Sequence, residues 1–186
     1  LKNGRSSTVS RIIIDDKSYI LKRYNSLGLW HSIKRSITTS RARKSWQNAA
    51  VLSMLGIPTS RPFLMMELVQ SGIIRPTSYF LCEALSGETV LQKIENSGFD
   101  QVLTEEIFAK FRELFQHFYD YRISHGDFKA TNFLFEDGEL KVIDLDGMKR
   151  HSSYGRFLKY HEKDKQRFLK NWVGTPVEAV ARKIIE

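Results

Sequence analysis

Apolar and polar positions alternate through Ser7–Ile14 and again through residues 18–24, with the polar Asp15-Asp16-Lys17 between them. Alternation rich in β-branched residues predicts two strands joined by a tight turn. The period then lengthens to three and four. Trp46, Ala49, Ala50, Leu52 and Leu55 predict a helix over 41–55, which Gly56 ends before Ile57-Pro58. A second strand pair follows at 63–69 and 78–85, then a short helix at 89–95 broken by Asn96-Ser97-Gly98. The strongest helical pattern spans 104–123, where Ile107, Phe111, Leu114, Phe118 and Tyr121 share one face, Thr104 is placed as N-cap and Glu105 and Glu106 fill the first turn. Short strands at 133–135 and 140–143 flank Glu136-Asp137-Gly138-Glu139, and Asp-Gly favours a hairpin turn. Helices are predicted at 160–172 and 176–185, the latter opened by Thr175-Pro176-Val177-Glu178. Strands crowd the first half and helices the second, which predicts an α+β chain.

Composition narrows the picture moderately. With 186 residues, 41% hydrophobic and 12% aromatic, the chain can fill one ordinary core or two very small lobes sharing a cleft, and disorder is excluded. A formal charge of +8 predicts an anionic partner, which nucleotide, phosphorylated sugar, anionic lipid and nucleic acid all satisfy. Cations cluster in residues 34–44 around Trp30, Ile33 and their neighbours, a mixture that suits an anionic interface or simply a solvated face. Cys82 is the only cysteine, so an internal disulfide and a cysteine zinc cluster are excluded, as suits a reducing compartment such as the cytoplasm. No run reaches the ~18 apolar residues of a membrane span, and the start of the chain has no signal-peptide core. It begins at Leu1 rather than Met, which leaves room for an upstream segment.

The chemistry is concentrated in His125-Gly126-Asp127-Phe128-Lys129-Ala130-Thr131-Asn132 and in the Val142-Ile143-Asp144-Leu145-Asp146-Gly147 that the hairpin brings back. Phosphoryl transfer needs positioning and charge neutralisation more than covalent help. Asp127 is placed to accept a hydroxyl proton and Lys129 to reach the transferring phosphate. Asn132 and Asp144, with Asp146 a further candidate, offer the hard oxygen ligands that Mg2+ prefers. His125 is expected to hydrogen-bond backbone beside Asp144 rather than to react. Upstream, Gly4-Arg5-Ser6-Ser7-Thr8-Val9 has the form of a reduced glycine-rich phosphate loop, although the same residues suit an ordinary polar turn. Gly4, Ser6 and Ser7 would lie over phosphates, Val9 above the base, and Lys22 on the next strand would reach the phosphates. Glu83-Ala84-Leu85 ends a strand where backbone groups, those of Glu83 and Leu85, would meet adenine. The set predicts an ATP- and Mg2+-dependent phosphotransferase.

The order of these parts resembles the protein-kinase-like fold in a minimal two-lobed form, with an antiparallel sheet and one helix in 1–85 and a small, mainly helical lobe in 86–186, together one kinase-like domain. In detail it is most similar to the lipopolysaccharide core sugar kinases, the Kdo kinase and WaaP-type heptose kinase group. LKRYNSLGLWHSIKR, RARKSWQNAAVLSMLGIPTSRP and KDKQRFLKNW carry that closer likeness. The resemblance implies Lys22 on the ATP phosphates, Asp127 as catalytic base, Asn132 and Asp144 on magnesium, and a sugar hydroxyl of the lipopolysaccharide inner core as acceptor. It also implies an anionic glycolipid or phosphorylated sugar partner, a cytoplasmic location, peripheral at the inner membrane, and no role for nucleic acid; the oligomeric state stays open. Two departures stand out. The helix expected to pair a glutamate with Lys22 has Ser45, Trp46, Gln47 and Asn48 instead, and no activation segment or Ala-Pro-Glu anchor follows Asp144. The first keeps a non-catalytic nucleotide-binding pseudokinase in play. An aminoglycoside-kinase-like small-molecule phosphotransferase and a KEOPS-like small atypical kinase or ATPase are the enzymatic alternatives.

Overall fold

A computed structural model describes residues 2–3, 7–25, 39–69 and 77–185. The chain divides into two compact units, Leu1–Leu85 and Ser86–Glu186.

The first unit is a five-stranded antiparallel sheet ordered β1-β2-β3-β5-β4, built from β1 (Lys2–Asn3), β2 (Ser7–Ile14), β3 (Lys17–Asn25), β4 (Pro62–Glu67) and β5 (Thr77–Glu83). Asp15 and Asp16, with φ of 48° and 60°, close the β2–β3 hairpin in the left-handed conformation that matches strand twist. Pro62, which has no N–H to donate, sits on the edge strand. Helix α1 (Arg41–Met54) is capped by the Ser40 hydroxyl, which accepts from Arg43 N at 3.1 Å. Its buried face is Ala42, Ser45, Ala49 and Leu52. Ala50, expected on that face, is exposed. The core joining helix to sheet is thin: Tyr24, Ala42, Phe80 and Cys82, with Ile20, Trp46 and Met65 against them.

The second unit has β6 (Glu88–Thr89), α2 (Val90–Asn96), α3 (Gln101–Asp120), β7 (Ile123–Ser124), β8 (Phe133–Glu136), β9 (Glu139–Val142), β10 (Lys149–Arg150), α4 (Tyr154–Lys170) and α5 (Glu178–Ile185). Strands β6-β8-β9 form one small sheet and β10-β7 another. Asp137 and Gly138, at φ of 52° and 74°, turn the β8–β9 hairpin as the sequence requires. Helix α3 starts three residues before the expected position: Asp100 is the N-cap, accepting from Leu103 N at 2.8 Å, while Thr104 is buried and donates its hydroxyl to the Asp100 carbonyl. It also ends at Asp120, and Ile123 belongs to β7. Helix α4 starts six residues early because Ser153 in the serine-rich stretch is its N-cap. Glu178 receives the Gly174 N–H at 2.8 Å instead of completing a capping box with Thr175.

Aromatic side chains fill this unit. Phe108, Phe111, Phe118, Phe128, Phe133, Phe157, Phe168 and Trp172 are all less than 2% exposed. Each contributes roughly 1.5–3 kcal/mol by leaving water. Phe128 stacks on Phe115 at 4.4 Å and touches Phe133 at 4.5 Å. Since Phe128 lies between Asp127 and Lys129, the core grips the loop that carries the candidate chemistry.

Candidate active site

The loop begins where buried β7 delivers the chain to His125, which is itself fully buried. Asp127 N donates to His125 Nδ1 at 3.4 Å, so Nε2 carries the proton and donates to the Ile143 carbonyl at 3.0 Å. Burial pushes the imidazole below its ordinary pKa, consistent with that neutral form. His125 thus ties the loop to the residue preceding Asp144, the structural task expected of it.

Gly126 has φ of +83°, and a Cβ there would stand 2.7 Å from the Gly147 carbonyl oxygen. Only glycine permits this backbone conformation together with the close approach. Beyond it, Asp127 accepts from Lys129 Nζ at 3.0 Å and from Asn132 Nδ2 at 3.2 Å, while Asn132 Nδ2 also donates to the Asp127 carbonyl at 2.8 Å. Ile143 N donates to the Asn132 carbonyl at 3.0 Å. Asp144 follows in the left-handed region, φ 61° and ψ 54°, an unfavourable conformation for a residue with a side chain. The hairpin therefore brings Asp127, Lys129, Asn132 and Asp144 together in one unit. Asp146 is half-buried in the 3-10 turn Leu145–Gly147 that follows.

Two further residues hold the loop; both lie within the KDKQRFLKNW passage, which by itself assigns neither of them a role. Asp164 on α4, 1% exposed, accepts His125 N at 2.7 Å with Oδ2 and Gly126 N at 3.1 Å with Oδ1. Asn171 Oδ1, just past α4, accepts Ala130 N at 3.2 Å. Burial drives the Asp164 carboxyl above its ordinary pKa against the pull of those amides and of Arg167. The available signal was an acid on an apolar stripe, since Phe157, His161, Asp164 and Phe168 recur at helical spacing.

The donor set fits a magnesium ion of the kind that keeps water and phosphate as partners. Asn132 has committed its amide nitrogen to Asp127, which leaves its carbonyl oxygen as the remaining side-chain ligand atom. No group of three or more His, Cys, Asp or Glu among the described residues forms an all-protein metal cage. Mg2+ with a nucleotide requires none, because one or two protein oxygens suffice.

In the first unit, Lys22 on β3 faces Val9 on β2 and Phe80 on β5 in register. Its ammonium acts on the neighbouring Cys82 thiol, which burial nevertheless pushes up. Ser7 lies opposite Tyr24 at the mouth of the hairpin, whereas Gly4 and Ser6 fall outside the described residues. The Glu83 and Ala84 N–H groups donate to the Arg61 and Ser18 carbonyls at 2.9 and 3.2 Å, while half-buried Leu85 follows beyond the strand. On α1, Gln47 points to solvent and Ser45 bonds the Tyr24 hydroxyl at 3.3 Å. The sheet face that carries Lys22 does hold a carboxylate. Glu67 is two residues from Met65, the position in register with Phe80 and so with Lys22, and its side chain is 8% exposed and paired with Arg43 at 3.0 Å.

No curated protein matches the sequence. Among solved structures, the chain is similar to "WaaP in complex with acyl carrier protein", with a TM-score of 0.62 and 18% identity over 100% of this chain and 88% of that one, a likeness of fold. The model of the lipopolysaccharide kinase (Kdo/WaaP) family matches residues 2–180. With nearly its whole length accounted for by that model, the chain belongs to the lipopolysaccharide kinase (Kdo/WaaP) family, phosphotransferases acting on sugar hydroxyls of the lipopolysaccharide core.

Proposed function

We propose that this kinase transfers the γ-phosphoryl group of ATP to an inner-core sugar hydroxyl, with Asp127 as the base that orients and deprotonates it. The observation that carries this reading is the Asp127, Lys129 and Asn132 triangle locked to the Asp144 turn by His125 and Gly126. Asp127 is 40% exposed in its side chain, so an acceptor hydroxyl can reach it. Lys129, 56% exposed, pairs with Asp127 in the resting loop, and its flexible stem can swing toward a transferring phosphate. Asn132 and Asp144 would hold Mg2+, with Asp146 shaping the turn beside them. The ion, when bound, supplies neutralisation of the charge on the phosphate oxygens. Lys22 would contact the ATP phosphates, Ser7 with Gly4 and Ser6 would cover them, and Val9 with the Glu83 and Leu85 backbone would hold the base.

Glu67 is a buried carboxylate on the sheet face that carries Lys22, and it pairs with Arg43 of α1. No helix among the described residues is long and apolar enough to cross a membrane. The acceptor is a glycolipid, so we place the enzyme in peripheral contact with the cytoplasmic face of the inner membrane, and the cations of residues 34–44 and 149–156 would help hold the anionic acceptor there. Mass spectrometry of the core oligosaccharide from cells lacking the protein should show one phosphate fewer. An unchanged phosphate count would contradict the assignment.

A further inference from the structure

Away from the loop, the second unit has a groove of about 650 Å3 between β10 and α4, lined by Lys149, Arg150, Arg156, Lys159 and Lys163 around Tyr160. None of the five cations forms an ion pair among the described residues. Arg156, Lys159 and Lys163 follow one another at three and four residues along α4, where like charges repel and oppose the helix. The ammonium groups of Lys149 and Lys163 lie 5.5 and 5.4 Å from the Tyr160 ring centre, and His151 stacks on the same ring at 5.0 Å. Burial lowers the His151 pKa, and Lys149 and Arg156 lower it further, which favours the neutral imidazole and leaves the groove's charge to the five cations. A fold that assembles five cations without a carboxylate gains most when an anion enters.

Position and shape indicate which anion. Lys149 comes two residues after Gly147 and pairs with Ser124, the residue before His125, so the groove wall is continuous with the strand that delivers the catalytic loop. The surface is concave and cationic, and the faces of its one aromatic ring are already covered by cations and His151. A flat lipid leaflet would instead call for exposed apolar anchors beside the charges. We propose that this groove is the acceptor's anion subsite, holding a phosphate-type oxyanion of the lipopolysaccharide core while another part of the same molecule meets Asp127. This inference rests on the kinase reading above and adds Lys159, Lys163 and Tyr160 to the acceptor-binding surface.

The test measures binding without nucleotide, using deacylated core oligosaccharide with its phosphates intact, the same oligosaccharide after phosphatase treatment, and phosphatidylglycerol vesicles. The Lys159→Gln/Lys163→Gln double variant should bind the phosphorylated oligosaccharide roughly tenfold more weakly, as expected for loss of charge-assisted hydrogen bonds. Phosphatase treatment should cost the wild type a similar factor and abolish the difference between the two proteins. The variant's melting temperature should not fall, since like-charge repulsion has been removed, and a Lys110→Gln control on α3 should bind as the wild type does. Equal affinity of variant and wild type for the phosphorylated oligosaccharide would overturn the subsite while leaving the kinase reading intact, provided the wild type still phosphorylates its acceptor. Loss of vesicle association alone would likewise overturn it, in favour of a leaflet contact. A wild type that neither binds nor phosphorylates the oligosaccharide would sink both.

Discussion

The Asp127 loop follows β7 and the basic groove is lined by its partner strand β10, and the two treat charge in opposite ways. In the loop every charge has a partner: Asp127 has Lys129 and Asn132, and Asp164 has two backbone amides and Arg167. In the groove five cations have no acidic partner among the described residues, and two of them rest on the Tyr160 ring. The charges of the loop are satisfied within the fold, and those of the groove are left for the proposed anion to satisfy. The first arrangement should be costly to disturb and the second nearly free.

Asp164→Ala should have the largest effect on stability. It strands the buried His125 and Gly126 N–H groups, each lost acceptor costing about 1–3 kcal/mol, and denaturant unfolding should show a loss of roughly 2–5 kcal/mol. If the loss matched that of an exposed acid, the loop would not depend on α4. Gly126→Ala comes next, at about 2–4 kcal/mol from the left-handed backbone and the clash with Gly147. Its phosphotransfer should fall further than its stability explains, because the Asp127 loop is pushed off the Asp144 turn. A smaller effect is expected at His161, whose pKa is lowered by burial among Phe115, Tyr119 and Phe157 and by Lys165. A histidine lowered in the folded state stabilises fully above the ordinary value of 6.5 and loses that contribution as pH falls toward its folded pKa. His161→Phe should therefore flatten the acid-side slope of stability below pH 6.5, and an unchanged slope would place the proton uptake elsewhere.

How much of this could be read in advance depended on how local each cause was. The Asp127, Lys129, Asn132 and Asp144 group was legible because its members share one short segment and the Asp137-Gly138 turn dictates how the ends meet. Lys22 and Val9 were placed by simple alternation, and the register puts them side by side. Asp164 and Asn171 were not legible as anchors, since their partners lie 39 and 41 residues away and nothing local marks the contact. Helix starts slipped for a related reason. Asp100 and Thr104 are both good caps, and only the packing that buries Thr104 decides between them. Ser153 was hidden because α4 opens with Tyr154-Gly155-Arg156, which shows no apolar period until Phe157. Glu67 was missed because the expected acid belonged to a helix, whereas this one reaches the Lys22 face from an edge strand.

The account stands most directly on Asp127. Purified wild type and Asp127→Ala should be compared for transfer of labelled phosphate from Mg-ATP to the core oligosaccharide, with nucleotide binding measured on both. The variant should bind nucleotide as the wild type does and transfer phosphate about 10²–10⁴-fold more slowly, the range for loss of a positioned general base. Transfer at the wild-type rate would contradict the assignment of the loop as the catalytic centre.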